Sequence, residues 1–189
     1  MGDNPTLEAR LLGWVREDAE RMTRLRQARE LALPQWALAA GFVRNLVWDR
    51  LHAHDVPTPL NDIDLIFFDR EDDSSARDRE LTQRLQAHGG APWSVKNQAR
   101  MHCRHGHEPY RSTLDAMRFW VECETAVGVT LDERDRLRLL APFGIETLMS
   151  GRVTLNPLHG DAEVLRRRAL EKQWQTRWPA LLMPARDFD

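Results

Sequence analysis

The chain has 189 residues, 42% hydrophobic and 30% charged, which gives it enough apolar surface to offset the entropy of folding and excludes disorder over most of its length. Twenty-seven basic residues against 29 acidic ones leave a formal net charge of −2, which excludes a histone-like binder of polyanions and argues against stable DNA binding. Cys103 and Cys123 are too few for a disulfide framework, and no apolar run is long enough for a membrane span. The first residues lack the basic and apolar regions of a signal peptide, so a cytoplasmic protein is expected.

Leu7, Leu11, Leu12, Val15, Met22 and Leu25 recur near helical spacing and predict one long amphipathic helix over 6–31, with Thr6 as its N-cap and Pro34 beyond its end. The apolar run 36–40 then meets Gly41, and Val43, Leu46, Val47 and Leu51 follow at helical spacing. This predicts a short buried strand, a glycine turn and a helix. A polar loop with prolines leads to Ile63, Leu65, Ile66, Phe67 and Phe68, a strand. The charged stretch 71–89, with Leu81 and Leu85 on one face and Gly89-Gly90 as a stop, predicts a helix. Residues 92–102 predict another strand, followed by a histidine-rich loop and a helix near 113–119. ETAVGVTL is a strand or a turn, GIETLMSG a short helix, VTLNP an extended piece, and 162–178 a terminal helix. Strands alternating with helices give an α/β or α+β class: a small mixed sheet backed by helices, with N-terminal and C-terminal helices. The expected organisation is an N-terminal helix over 1–32, a core over 33–150 and a C-terminal segment and helix over 151–189, forming one compact unit.

Asp62 and Asp64 stand two apart at the start of a hydrophobic strand, so their carboxylates project to one face. Two like charges so close repel unless a cation lies between them, and hard oxygen ligands suit Mg²⁺ or Mn²⁺. Upstream, Gly41 between strand and helix lets a backbone approach a phosphate, and the start of the helix favours an anion. Together these describe a site for a metal-bound nucleoside triphosphate. Asp-x-Asp alone is commonly a solvated strand end, and a lone glycine turn is commoner still; their order, with a helix between them, carries the argument.

GFVRNLVWDRL with NDIDLIFFD resembles the glycine-helix-aspartate signature of the DNA polymerase β nucleotidyltransferase superfamily, particularly its tRNA-CCA-adding and poly(A) polymerase branch. AGFVRNLVWDRL, PLNDIDLIFFD, WSVKNQARMH, TAVGV, APFGIETL and the final K-x-W-x-x-x-W-P are similar to a bacterial nucleotidyltransferase-like family of largely unassigned function, over roughly residues 36–179. The resemblance implies carboxylates on the central strands, with Asp62 and Asp64 catalytic and metal-binding. It also implies Gly41 and Phe42 at the phosphate turn and Arg44 as a phosphate contact. Ala40 stands where that branch has the first of two glycines, and Asn45 where it has an aspartate.

The resemblance implies a third acid on a neighbouring strand. The WSVKNQARM segment offers Ser94, Lys96, Gln98 and Arg100 on one face and Val95, Asn97 and Ala99 on the other, with no acid on either. Asp115, Glu122 and Glu124 are the nearby candidates, of which Asp115 and Glu124 are preferred. Lys96 and Arg100 on their common face are candidates for phosphate, their alternative being a solvated basic edge.

The expected chemistry is metal-assisted transfer of a nucleoside monophosphate from a nucleoside triphosphate to an acceptor hydroxyl on a small molecule, a protein or an RNA end. No extended helical tRNA-binding body follows the domain, which points away from a self-sufficient CCA-adding enzyme. The alternative is a catalytically silent module that keeps the fold and binds a nucleotide or a protein. His102, Cys103, His105 and His107 could together bind zinc, but their spacing fits no structural zinc pattern. Trp36, Trp48, Trp93 and Trp120 read as core rather than base-stacking platforms, Trp174 and Trp178 as one packed helix face, and Arg166 to Arg168 as a solvated cluster.

Overall fold

The computed structural model describes residues 6–159 and 161–184. Two helices open the chain, α1 (Leu7–Glu17) and α2 (Ala19–Arg29). They replace the single long helix expected from the apolar spacing. Asp18 ends the first with extended backbone, and its carboxylate then accepts the Arg21 N–H to cap the second. The Thr6 hydroxyl caps α1 by accepting the Ala9 N–H.

Strand β1 (Ala37–Ala39) runs into α3 (Gly41–Leu51), and β2 (Ile63–Phe67) follows, antiparallel to β1. Ser74 caps α4 (Ser75–Gln86), which provides the crossover that a parallel pair needs before β3 (Trp93–Asn97) joins β2. After a 3-10 turn (Gln98–Arg100) come the short helices α5 (His102–His105) and α6 (Thr113–Met117). Strands β4 (Gly128–Leu131) and β5 (Leu137–Leu140) form a hairpin, followed by α7 (Glu146–Met149), α8 (Ala162–Glu171) and α9 (Trp174–Arg177). The sheet order is β3-β2-β1-β4-β5, so the class is α+β with a mixed five-stranded sheet. The terminal helix expected over 162–178 breaks at Gln173, which takes a left-handed conformation at φ 53°. Strand β5 escaped the sequence reading. Its pattern, Leu137-Arg138-Leu139 after the turn around Asp132 and Asp135, is the alternation that could have marked it.

The two faces of the sheet differ in composition. One buries Leu38, Ile63, Leu65, Phe67, Val95 and Val129 against α1, α2, α3 and the C-terminal helices in a single hydrophobic cluster. Helix α3 lies so deep that every residue from Gly41 to Asp49 is buried, including Arg44, Asn45 and Asp49. Asp49 is satisfied from four sides: it accepts the Thr58 N–H at 2.8 Å, the Thr58 hydroxyl at 2.6 Å and the Trp178 indole N–H at 2.7 Å, and His54 lies at 3.1 Å. Trp48 packs edge-on against both Trp174 and Trp178 at 5.3 and 5.0 Å, which docks the C-terminal segment on α3.

The other face is made of small residues. Ala37 pairs with Ile66, and Ala39 pairs with Asp64 on one side and Gly128 on the other. A Cβ on Gly128 would stand 3.2 Å from that of Ala37 and 3.3 Å from that of Ala39, so glycine there keeps this face shallow. Met117 and Trp120 cover part of it, and the rest forms one wall of a pocket. Among the described residues no helix is long and apolar enough to cross a membrane.

Candidate active site

The pocket has a volume of about 320 Å³. Asp64, Ile66, Lys96 and Gln98 contribute from β2, β3 and the turn after it, Ala40 from the β1–α3 turn, and Arg168 from α8. Phe119 and Trp120, just after α6, and Tyr110, just before it, add aromatic walls; the Tyr110 and Phe119 rings stack at 5.1 Å. Sheet register sets the polar groups. Asp64 pairs with Ser94 and Ile66 with Lys96 in the parallel ladder, so Ser94 and Lys96 project to the same face as Asp64.

Asp62 is exposed just before β2, and Asp64 is half-buried. The Asp64 carboxyl is pushed up to about 6, first by burial and next by repulsion from Asp62, against the opposing pull of Lys172, Arg44 and the Ser94 hydroxyl. The donor set is all oxygen, from two carboxylates and a hydroxyl, and suits a hard divalent cation such as Mg²⁺ or Mn²⁺. A cation here would counter the burial and the repulsion from Asp62 that together hold Asp64 up.

Gly41 opens α3, and its N–H and that of Phe42 are first-turn groups with no acceptor inside the helix. A Cβ on Gly41 would meet only Asn45 and Arg44 side-chain atoms at 3.5 Å or more, an ordinary contact, so packing does not demand glycine. Ala40 just before it holds φ 55°, ψ −124°, a conformation that favours glycine, the residue that the related branch has at this position.

Phe42 faces the other way: its ring is fully buried, and its carbonyl accepts the Arg21 Nε–H at 2.8 Å, so only its backbone N–H is available toward the turn. Arg44 is 4% exposed and lies between the rings of Trp48 and Trp174, 4.9 and 4.8 Å from their centres. Its terminal nitrogens donate to Thr125 Oγ1 at 2.7 Å and Asn45 Oδ1 at 3.0 Å. Burial lowers its guanidinium to about 10, partly offset by Glu122 and the two aspartates. Arg44 thus supports the turn from behind and has little surface for direct phosphate contact. Asn45, in place of the expected aspartate, supplies the neutral acceptor that holds it.

Arg100 requires a correction. The strand ends at Asn97, the backbone tightens into the 3-10 turn, and Arg100 no longer shares the face of Lys96. It pairs instead with buried Asp78 of α4 and donates to the Asp73 carbonyl at 3.1 Å. Neither candidate third acid reaches the pocket. Asp115 sits in the first turn of α6 and accepts the Arg111 N–H at 2.9 Å. Glu124 is 1% exposed and accepts the Thr154 N–H at 2.7 Å, its other oxygen having no partner among the described residues. Glu122 is buried and paired with Arg168, at 2.6 and 3.3 Å.

Among the described residues no three His, Cys, Asp or Glu side chains gather as a metal cluster. In the histidine-rich segment, His102 bonds the Ala99 carbonyl and His107 the Tyr110 hydroxyl; the His105 side chain lies outside the described residues.

Several pocket residues escaped sequence reasoning. Trp120 is only partly buried and forms pocket wall as well as core. Arg168 turns inward while its neighbour Arg166 pairs with Glu163 on the surface, so the basic cluster is not uniformly solvated. Gln98 lies on the Lys96 face that the strand pattern marked, whereas Tyr110, Thr125 and His159 carried no local signal, because their approach to Asp64 depends on tertiary packing.

The fold and the paired aspartates beside a small-residue sheet face define a nucleotidyltransferase-class domain. The chain matches a family described as "Nucleotidyltransferase" over residues 26–183, and it belongs to that family. It is similar to a solved NMR structure described as revealing a CCA-adding enzyme head domain, at 33% identity and TM-score 0.79, over 92% of this chain and 94% of that one. A CCA-adding enzyme in complex with CTP aligns at 17% identity and TM-score 0.58, over 98% of this chain and 44% of that enzyme. The Thermotoga maritima CCA-adding enzyme complexed with tRNA aligns at 17% identity and TM-score 0.56, over 94% of this chain and 42% of that one. This chain therefore spans less than half of those two enzymes, and at such identity they show the fold. A search of curated proteins returns no match.

Proposed function

We propose that the protein transfers a nucleoside monophosphate from a nucleoside triphosphate to an acceptor hydroxyl, with Asp62 and Asp64 holding a divalent cation, Mg²⁺ or Mn²⁺. The observation that carries this reading is Asp64 on the pocket wall, half-buried and repelled by the exposed Asp62 two residues before it. In the reaction the acceptor oxygen bonds to the α-phosphorus, the bond from that phosphorus to the bridging oxygen breaks, pyrophosphate leaves in line, and the hydroxyl proton passes to base or solvent. Bound there, the cation would supply charge neutralisation for the phosphates. The backbone at Gly41 and Phe42 offers N–H donors to a phosphate, Arg44 and Asn45 hold that turn rigid, and Lys96 adds a positive charge on the sheet face. The acceptor class is a small molecule, a protein side chain or an RNA end.

A second reading is favoured by one observation: the β3 position paired with Asp64 is Ser94, not an acid. A chain without a third carboxylate would bind nucleotide, or a protein partner, without turnover. Pyrophosphate release, assayed with each of the four common nucleoside triphosphates, Mg²⁺ or Mn²⁺ and pools of candidate acceptors, separates the two. Metal-dependent release abolished in Asp62→Asn and Asp64→Asn supports the enzyme. Release unchanged in both variants overturns the site. Metal-dependent triphosphate binding without release from any pool supports the silent module.

A further inference from the structure

Of the 27 basic side chains in this sequence only two are lysines, Lys96 and Lys172. They are 76 residues apart in the chain and come from different elements, β3 and the end of α8, yet both bear on Asp64. Lys96 is exposed and lines the same pocket as Asp64. Lys172 follows the last turn of α8, four residues after Arg168, which lines that pocket, and two before Trp174, whose ring lies against Arg44. Helical spacing puts Lys172 on the face of Arg168, one turn further on. Lys172 is also among the charges that act on Asp64.

Neither ammonium makes a hydrogen bond or a close ion pair among the described residues. The arginines around them are committed: Arg44 to Thr125 and Asn45, Arg100 to Asp78, Arg168 to Glu122. A planar guanidinium suits fixed, two-pronged pairing, whereas an ammonium on a flexible four-carbon stem can follow a charge that arrives and leaves. A sequence that uses arginine almost everywhere else has lysine only where a mobile cation would face the aspartate pair.

We infer that Lys96 and Lys172 clamp the polyphosphate of the nucleotide from two sides, and that the end of α8 is therefore part of the substrate site; this rests on the nucleotidyl-transfer reading above. The clamp gives the C-terminal segment a role beyond packing. Lys96 reaches from the sheet and Lys172 from the end of α8, so charge on the triphosphate would be met by two mobile cations as well as by the Gly41 turn.

Having only two lysines makes the test direct. The folded, full-length chain is treated with formaldehyde and cyanoborohydride, and dimethylation of each amine is followed by peptide mass spectrometry. The reaction is run alone and with Mg²⁺ plus ATP or inorganic tripolyphosphate, with melting temperature measured in the same samples. The clamp predicts that both ligands slow modification of Lys96 and Lys172 at least about fivefold while the N-terminal amine is unaffected. Protection of Lys96 alone overturns the role of α8. A ligand-induced rise in melting temperature with neither lysine protected overturns the clamp and leaves nucleotidyl transfer standing. No rise and no protection overturns both. As a second measure, Lys172→Gln should keep the wild-type melting temperature and weaken Mg²⁺-ATP binding roughly tenfold, a loss of about 1.4 kcal/mol. Unchanged affinity in that variant contradicts the clamp.

Discussion

Asp49 and Asp64 are two aspartates on neighbouring elements with opposite surroundings. Asp49, on α3, is buried and provided for, with the Thr58 backbone and hydroxyl, the Trp178 indole and His54 all turned onto its oxygens. It ties the loop before β2 and the C-terminal tryptophans to one helix. Asp64, on β2, is half-buried with far less support, and it faces another carboxylate. A carboxylate that serves the fold has its donors built in; one that serves a ligand is left short of them until the ligand comes. Removing Asp49 should therefore cost stability and removing Asp64 should cost function.

The largest expected effect is on turnover. Asp62→Asn and Asp64→Asn should each lower metal-dependent pyrophosphate release by at least about a hundredfold, the scale seen when a group stabilising transition-state charge is lost. Steady-state assays at saturating Mg²⁺ check this. Next comes Asp49→Ala. It leaves the Trp178 and Thr58 donors buried without an acceptor and should destabilise the fold by about 3 kcal/mol, or roughly 10 °C in melting temperature.

Asp64 should act in the reverse sense on stability. With the folded carboxyl near 6 and an unfolded value of 3.8, the protonated form is favoured by folding. Its contribution to stability is greatest below the unfolded value and is lost as pH rises from about 4 to 6. The metal-free protein should lose up to about 3 kcal/mol across that window through this group, and Asp64→Asn should remove that loss and raise the melting temperature at pH 7. Denaturant melts of both proteins across pH 4–8 test the sign. A smaller effect is expected at Gly41→Ala: unchanged stability, because the new Cβ meets only ordinary contacts, with roughly tenfold weaker triphosphate binding where the backbone must approach a phosphate. The smallest is Ala40→Gly, which should stabilise by about 1 kcal/mol by relieving its positive φ. Both are read by paired melting and calorimetric titration.

Much of this was legible in the sequence because it is local. Val43, Leu46 and Val47 announce α3, the run from Ile63 to Phe67 announces β2, and the spacing of Asp62 and Asp64 places two carboxylates together without any tertiary information. What failed was decided by single residues or distant contacts. Asp18 splits one amphipathic pattern into two helices because its side chain caps the second, and Gln173 interrupts another by turning left-handed. Arg100 left its strand because the backbone tightened after Asn97 and buried Asp78 offered a partner 22 residues upstream. The approach of Arg168 to the pocket depends on the Trp48, Trp174 and Trp178 packing that folds the C-terminal segment back onto α3. The tryptophan spacing gave the packed face, but nothing local gave its destination.

The central claim is that Asp62 and Asp64 together form the cation-dependent triphosphate site. Isothermal calorimetry of a non-hydrolysable nucleoside triphosphate, with and without Mg²⁺, into wild type and Asp64→Asn tests it most directly, with melting curves confirming that both proteins are folded. The account predicts binding to wild type that requires Mg²⁺ and is lost in Asp64→Asn, although that variant melts higher than wild type. Equal Mg²⁺-dependent affinity in the two proteins would contradict it.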